Sequence, residues 1–201
     1  MTESDFIKDV VGPHLGALEA CIQAGFNCYM ADKKNHHKHS GRSRASLIHD
    51  YIKYEIESYF VGVARVKCVV KRNLFYISFN GNVVMRVKKL GSGLRACNHA
   101  TATSSLFEEP ETQGSLFGPS ILVTAGYVPN RSFTSIERKV ITRFQNKQVA
   151  WLMDIDSAIA DNVVDMPKKN TLAPAEKKRV RSRNSVDTIG AKHEKGDISQ
   201  L

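Results

Sequence analysis

Ahead of residue 61 the apolar residues of this chain recur in steps of three and four; beyond it they alternate. Arg65-Val-Lys-Cys-Val-Val-Lys71, Leu74-Phe-Tyr-Ile-Ser-Phe79 and Val83-Val-Met-Arg-Val-Lys-Lys89 each place every second residue on one side. That is the pattern of a half-buried strand. Asn80-Gly81 separates the second run from the third, and this pair tolerates positive φ at both positions of a two-residue hairpin turn. Three strands joined by tight turns predict an antiparallel meander. A fourth strand is expected over 120–128, and a second hairpin over 137–144 and 149–155, turning at Asn146-Lys147.

The helical part comes first. Residues 1–13 read as a short lead-in closed by Gly12-Pro13. Leu15, Leu18, Ile22, Phe26 and Tyr29 then mark one helical face, with Glu19 the only charged residue between Val10 and Tyr29. A helix so poor in charge is buried on more than one side or forms a dimer surface. The stretch 33–44 carries five Lys/Arg, three His and no acid, and its Gly and Ser predict a loop. A second helix is expected over 46–60, with Leu47, Ile48, Tyr51, Ile52, Ile56, Tyr59 and Phe60 on one stripe and Ser43 or Ser46 as N-cap. Together these elements predict an α+β fold: two N-terminal helices packed on one face of an antiparallel sheet of about six strands. The organisation expected is an N-terminal helix at 1–31, a basic loop at 32–45, an α+β core at 46–156 and a disordered basic tail at 157–201, which has no aromatic residue after Pro167.

Composition excludes several classes. No run reaches the 18–20 apolar residues of a membrane span, and MTESDFIKDV lacks the basic and apolar regions of a secretory signal, so a cytoplasmic protein is expected. Cys21, Cys28, Cys68 and Cys97 form no closely spaced pair of the kind zinc needs, and read as small buried hydrophobes. There is no Gly-rich phosphate loop and no G-x-S-x-G. No metal site or cofactor is expected.

Charge carries the functional signal. The 201 residues hold 29 Lys+Arg against 20 Asp+Glu, a formal charge of +9. Between Ser58 and Phe107 there is no acid at all, while Arg65, Lys67, Lys71, Arg72, Arg86, Lys88, Lys89 and Arg95 all fall there. With Val66, Phe75, Ile77, Val83, Met85 and Val87 pointing inward, alternation points Arg65, Lys67, Lys71, Arg86 and Lys88 outward, with Tyr76 between two basic rows. Cations around one aromatic suit a phosphate backbone with a stacked base. Arg42, Arg44, Lys89 and Arg95 would extend this surface, and the expected partner is nucleic acid or a nucleotide. Two alternatives stand beside it. Glu137-Arg-Lys139 has the E-x-K form of a metal-dependent nuclease strand, in which Mg²⁺ would be held by the acid and an upstream carboxylate; His49 could act as a general base without a metal. The other alternative is a non-catalytic interaction protein that dimerises through its first helix.

The order of several short motifs adds a resemblance. Arg42-x-Arg44 before the second helix, Arg86-Val-Lys-Lys-Leu90 at the end of a strand, and Asn98 with Thr101 or Thr103 come first. Gln113-Gly-Ser-Leu-Phe-Gly-Pro119, Ala125-Gly-Tyr127 and Trp151 follow. Over residues 42–155 the chain resembles uncharacterised bacterial proteins encoded beside IrrE-type or helix-turn-helix genes, in loci of the RosmerTA toxin–antitoxin or phage-defence type. It departs from them in lacking a Gln two residues after Thr101 and in continuing past the Trp strand to Leu201. The resemblance implies a cytosolic toxic effector neutralised by an antitoxin protein from a neighbouring gene, and it implies no catalytic residues.

Overall fold

A computed structural model describes residues 2–97, 101–108, 117–145, 148–156 and 163–165. The lead-in is a helix, α1 (Glu3–Val11). Thr2 caps it: its hydroxyl accepts from the Asp5 amide at 3.2 Å, and its own amide donates to the Asp5 carboxylate at 2.9 Å. This reciprocal box satisfies two amides that have no partner inside the helix. Gly12-Pro13 opens a 3-10 turn, Gly12–His14, and α2 (Leu15–Ala31) follows directly.

The basic stretch is not the loop expected of it. Lys33–Lys38 form a 3-10 helix, and α3 (Gly41–Phe60) begins five residues earlier than its apolar stripe predicts. Its N-cap is Ser40, whose hydroxyl accepts from the Ser43 amide at 3.2 Å. Ile48, Ile52, Ile56 and Phe60 form its buried edge, whereas Tyr51 and Tyr59 of the expected stripe are exposed. The charge-poor face of α2 is used inside the chain: Leu18, Ile22, Phe26 and Tyr29 are buried among residues of α3 and the sheet. The two helices cross closely at Gly25, where an added Cβ would lie 2.5 Å from the Ile52 amide nitrogen.

The meander is present as β1 (Val66–Lys71), β2 (Leu74–Phe79) and β3 (Val83–Lys89), all antiparallel. Asn80 and Gly81 both take positive φ, and so do Arg72 and Asn73 in the turn between β1 and β2. Then come β4 (Ile121–Pro129), β5 (Ile136–Gln145), β6 (Gln148–Asp154) and the short β7 (Val163–Asp165), in sheet order β1 to β7. The architecture is the expected α+β one, but the sheet has seven strands, both of its faces are covered rather than one, and β3 and β4 are parallel. Parallel neighbours need a long crossover. Here the chain between them carries α4 (Ala102–Glu108).

Each face of the sheet is covered. Phe75, Ile77, Phe79, Val83, Met85, Val87, Val123, Tyr127, Ile141 and Met153 meet α1–α3 in the main core. On the opposite face Tyr76, Val84 and Leu122 meet Phe107 of α4. The tail expected at 157–201 lies outside the described residues except for β7. Two glycines of α2 give a paired test of this packing. Gly16 has open space where a Cβ would go, whereas Gly25 faces Ile52 backbone. Gly16→Ala is expected to stabilise by up to about 1 kcal/mol through helix propensity. Gly25→Ala should cost about 2 kcal/mol net, because overpacking outweighs the same gain. Urea midpoints of the two variants should therefore move in opposite directions.

Candidate functional site

The sheet opens between β2 and β3. Only Ile77, Ser78 and Phe79 pair with Met85, Val84 and Val83. Beyond these, β2 stays with β1 as far as Lys71↔Leu74, and β3 stays with β4 as far as Lys89↔Tyr127. α3 lines the opening and brings His49, Asp50 and Lys53 to it. The result is a groove with an inner part of about 130 Å³, reaching Tyr76, Arg86 and Lys88. An outer part of about 600 Å³ runs past Arg42, Ser46, Lys88, Lys89 and Cys97. His49, Asp50, Asn73, Leu74 and Lys88 line both parts, so the two are continuous.

Cations dominate this groove. Among the described lining residues Asp50 is the single carboxylate, and its side chain is largely exposed. Lys53 lies over the Phe75 ring and faces Glu57 one helical turn on at 3.8 Å. Lys88 is half-buried and makes no ion pair among the described residues. Burial lowers its ammonium below the ordinary lysine range, and the Arg86 guanidinium lowers it further. His49 has a quarter of its side chain in solvent, and its Nδ1 lies 3.7 Å from an Asp50 carboxylate oxygen. Burial holds its imidazole below the ordinary range. Lys88 acts in the same direction, and the nearby Asp50 opposes both.

The structure divides the cations that alternation placed on one plate. Tyr76 does point away from the helical core, but it is buried. Phe107 stacks on it with ring centroids 5.6 Å apart, and Phe117 meets it edge-on at 4.7 Å. It therefore presents no face to a base. Arg86 is 4% exposed; it donates to Glu108 of α4 at 2.8 Å and to the Thr124 hydroxyl at 3.0 Å, and its guanidinium lies 4.3 Å from the Phe107 ring centre. The acid-free window in the sequence thus ends at the residue that neutralises its central arginine. Lys71 lies over Phe117. Arg65 and Lys67 line a separate depression with Ser78, Asn80 and Gly81. Arg44 donates to the His39 carbonyl and, with Lys89, flanks the Phe133 ring; Arg95 lies over Phe144. Asn98 is outside the described residues, and the Thr101 hydroxyl accepts from the Ser104 amide at the start of α4.

Among the described residues the E-x-K motif is not assembled into a site; of the upstream acids that could complete it, Glu109 and Glu111 lie outside the described residues and Asp50 lies in the groove. Glu137 is exposed beside a break in the β4–β5 register. Lys139 is buried between Asp156 at 2.7 Å and Glu19 at 2.9 Å. Burial alone would lower its ammonium, but the two carboxylates outweigh burial and raise it. A lysine so paired is a structural tie between α2 and β5. Asp154 is taken by Arg138 at 3.0 Å. Among the described residues no three His, Cys, Asp or Glu side chains are grouped as a metal would need. Of the four cysteines only Cys21 is buried, its thiol pushed up to about 11 by burial and then by Glu55; Cys28, Cys68 and Cys97 are exposed, contrary to expectation.

The chain matches no family model, no curated protein and no solved structure. Among the described residues no helix is long and apolar enough to cross a membrane.

Two measurements probe these electrostatics. Glu108→Ala leaves the buried Arg86 charge without its carboxylate. It should cost about 3 kcal/mol in chemical denaturation, the low end for a broken buried pair, because Glu108 keeps a quarter of its side chain in solvent. His49 should titrate below an ordinary histidine in an NMR pH series, and Lys88→Gln should raise its midpoint. Because the folded chain favours the neutral ring, the His49 contribution to stability is complete above the unfolded pKa of about 6.5 and is lost as pH falls through the depressed folded value.

Proposed function

We propose that this protein binds nucleic acid by its phosphates, in the groove between α3 and the diverging ends of β2 and β3. The observation that carries the reading is that Arg42, Lys53, Lys88 and Lys89 converge on one cleft whose described lining contains a single acid. An outer volume of about 600 Å³ is of the size that holds a nucleotide unit. This replaces the broad sheet face with a narrower surface. Stacking on Tyr76 has no part in it, and Arg86, paired with Glu108, acts only through Lys88, whose charge its guanidinium disfavours. The motif order over 42–155 supports a cytosolic effector of a toxin–antitoxin or phage-defence pair. In that setting nucleic acid is the target and a neighbouring gene supplies the antitoxin. Inducing the chain alone and following growth tests that part.

Binding itself is measurable by the anisotropy of a labelled single-stranded oligonucleotide. With about three phosphates neutralised on a single strand, affinity should fall roughly 20-fold between 50 and 200 mM salt. Lys88→Glu combined with Lys89→Glu should weaken binding more than tenfold, and Arg65→Glu combined with Lys67→Glu should change it little. The reverse ranking would move the interface to the β1–β2 depression and refute the groove.

A further inference from the structure

We infer that the groove also cleaves RNA without a metal ion, His49 serving as the base and Lys88 as the acid; this rests on the nucleic-acid reading above. The two side chains come from α3 and β3, and both line the inner and the outer part of the groove. His49 therefore sits where the cleft narrows, beside the cations that would hold a phosphodiester. Its Nδ1 faces Asp50, which biases the ring to carry its proton there and leave Nε2 as the acceptor. A general base must be neutral at working pH, and burial together with Lys88 keeps this ring so. A general acid must give up its proton readily, and a half-buried ammonium next to a guanidinium does so more easily than one in water. Arg86 is held by Glu108 and Thr124 and so keeps its place behind Lys88.

The chemistry closes without a further reagent. His49 takes the proton of a ribose 2′-hydroxyl, and the 2′-oxygen forms a bond to the adjacent phosphorus. The bond from phosphorus to the 5′-oxygen breaks, and that oxygen takes a proton from Lys88. The products are a 2′,3′-cyclic phosphate and a free 5′-hydroxyl. His49 is left protonated and Lys88 neutral, and one proton passed from the first to the second through solvent restores both. DNA lacks the 2′-hydroxyl, so the same groove would bind it and leave it whole.

The test uses the full chain in EDTA with three labelled oligonucleotides of one sequence: RNA, DNA, and RNA methylated at every 2′-oxygen. Binding is read by anisotropy and cutting by gel, with the new ends identified by mass. Only the unmodified RNA should be cut, leaving the cyclic phosphate, while all three bind with similar affinity. His49→Gln should slow cutting about 100-fold and keep binding within about threefold. Lys88→Arg, which keeps the charge but holds its proton, should slow cutting at least tenfold with binding retained, and it carries the test if His49→Gln fails to fold. RNA that is bound but left intact overturns this inference and leaves the binding reading standing. So does cutting that needs Mg²⁺, or cutting unchanged in His49→Gln. Failure of all three oligonucleotides to bind overturns both.

Discussion

A guanidinium buried in a sheet must find a carboxylate, and much of this structure follows from how Arg86 does so. Its position in β3 turns it away from the helical core, toward the face that a plain meander would leave in water. α4 brings Glu108 to it, and Phe107 closes over both the guanidinium and Tyr76. Burying a charge without such a partner costs several kcal/mol. The crossover from β3 to β4 therefore has to lie over this face rather than merely span the distance between two parallel strands. A small second core forms there, and β2, β3 and β4 are buried on both sides along most of their length.

The consequence for the surface is a redistribution of charge. On the covered face Arg86 is paired and Lys71 lies over an aromatic ring, Arg65 and Lys67 line a depression of their own, and the groove lies at the end where β2 leaves β3. Lys88, two residues beyond Arg86, is there without a carboxylate of its own among the described residues. His49 reaches the same place from α3, and Lys53 follows one helical turn later. One end of the β2–β3 pair carries the exposed Asn80-Gly81 turn, and the other opens on the cationic cleft. The same separation of strands that breaks the β2–β3 ladder makes room for a ligand.

Most of the fold was legible because it is written in local periodicity. The alternation in β1, β2 and β3, the Asn80-Gly81 turn and the apolar edge of α3 all depend on residues within a few positions of one another. What escaped the sequence is nonlocal or too short to register. α1 has Ile7 and Val11 as its only fully buried apolar residues and reads as a lead-in. The parallel pairing of β3 with β4 is decided by a crossover rather than by either strand. In the site, alternation correctly assigned Arg86 and Tyr76 to the face opposite the main core. It could not show that Glu108, just outside the acid-free window, returns to pair with the arginine. Nor could it join His49 to Lys88 across 39 positions, although His49 and Lys53 on one helical edge hinted at a polar strip beside the core. The Glu137/Lys139 motif failed for the opposite reason: its spacing was right, but Lys139 is claimed by Glu19 and Asp156 from other elements.

The contrast between Lys139 and Lys88 bears on function. Both are partly withdrawn from water near the sheet. Lys139 has two carboxylates and its charge is stabilised; Lys88 has a guanidinium beside it and its charge is disfavoured. A fold selected only for stability would place an apolar side chain, or an acid, where Lys88 stands. Lys88 is instead held partly out of water, with no carboxylate of its own among the described residues and with the Arg86 guanidinium disfavouring its charge, and an anion entering the groove would relieve both. That relief appears as affinity when the anion is merely held. It appears as a lowered barrier when negative charge grows on a phosphate in reaction, since a preformed positive site need not reorganise to meet it. A phosphate beside Lys88 would meet both conditions.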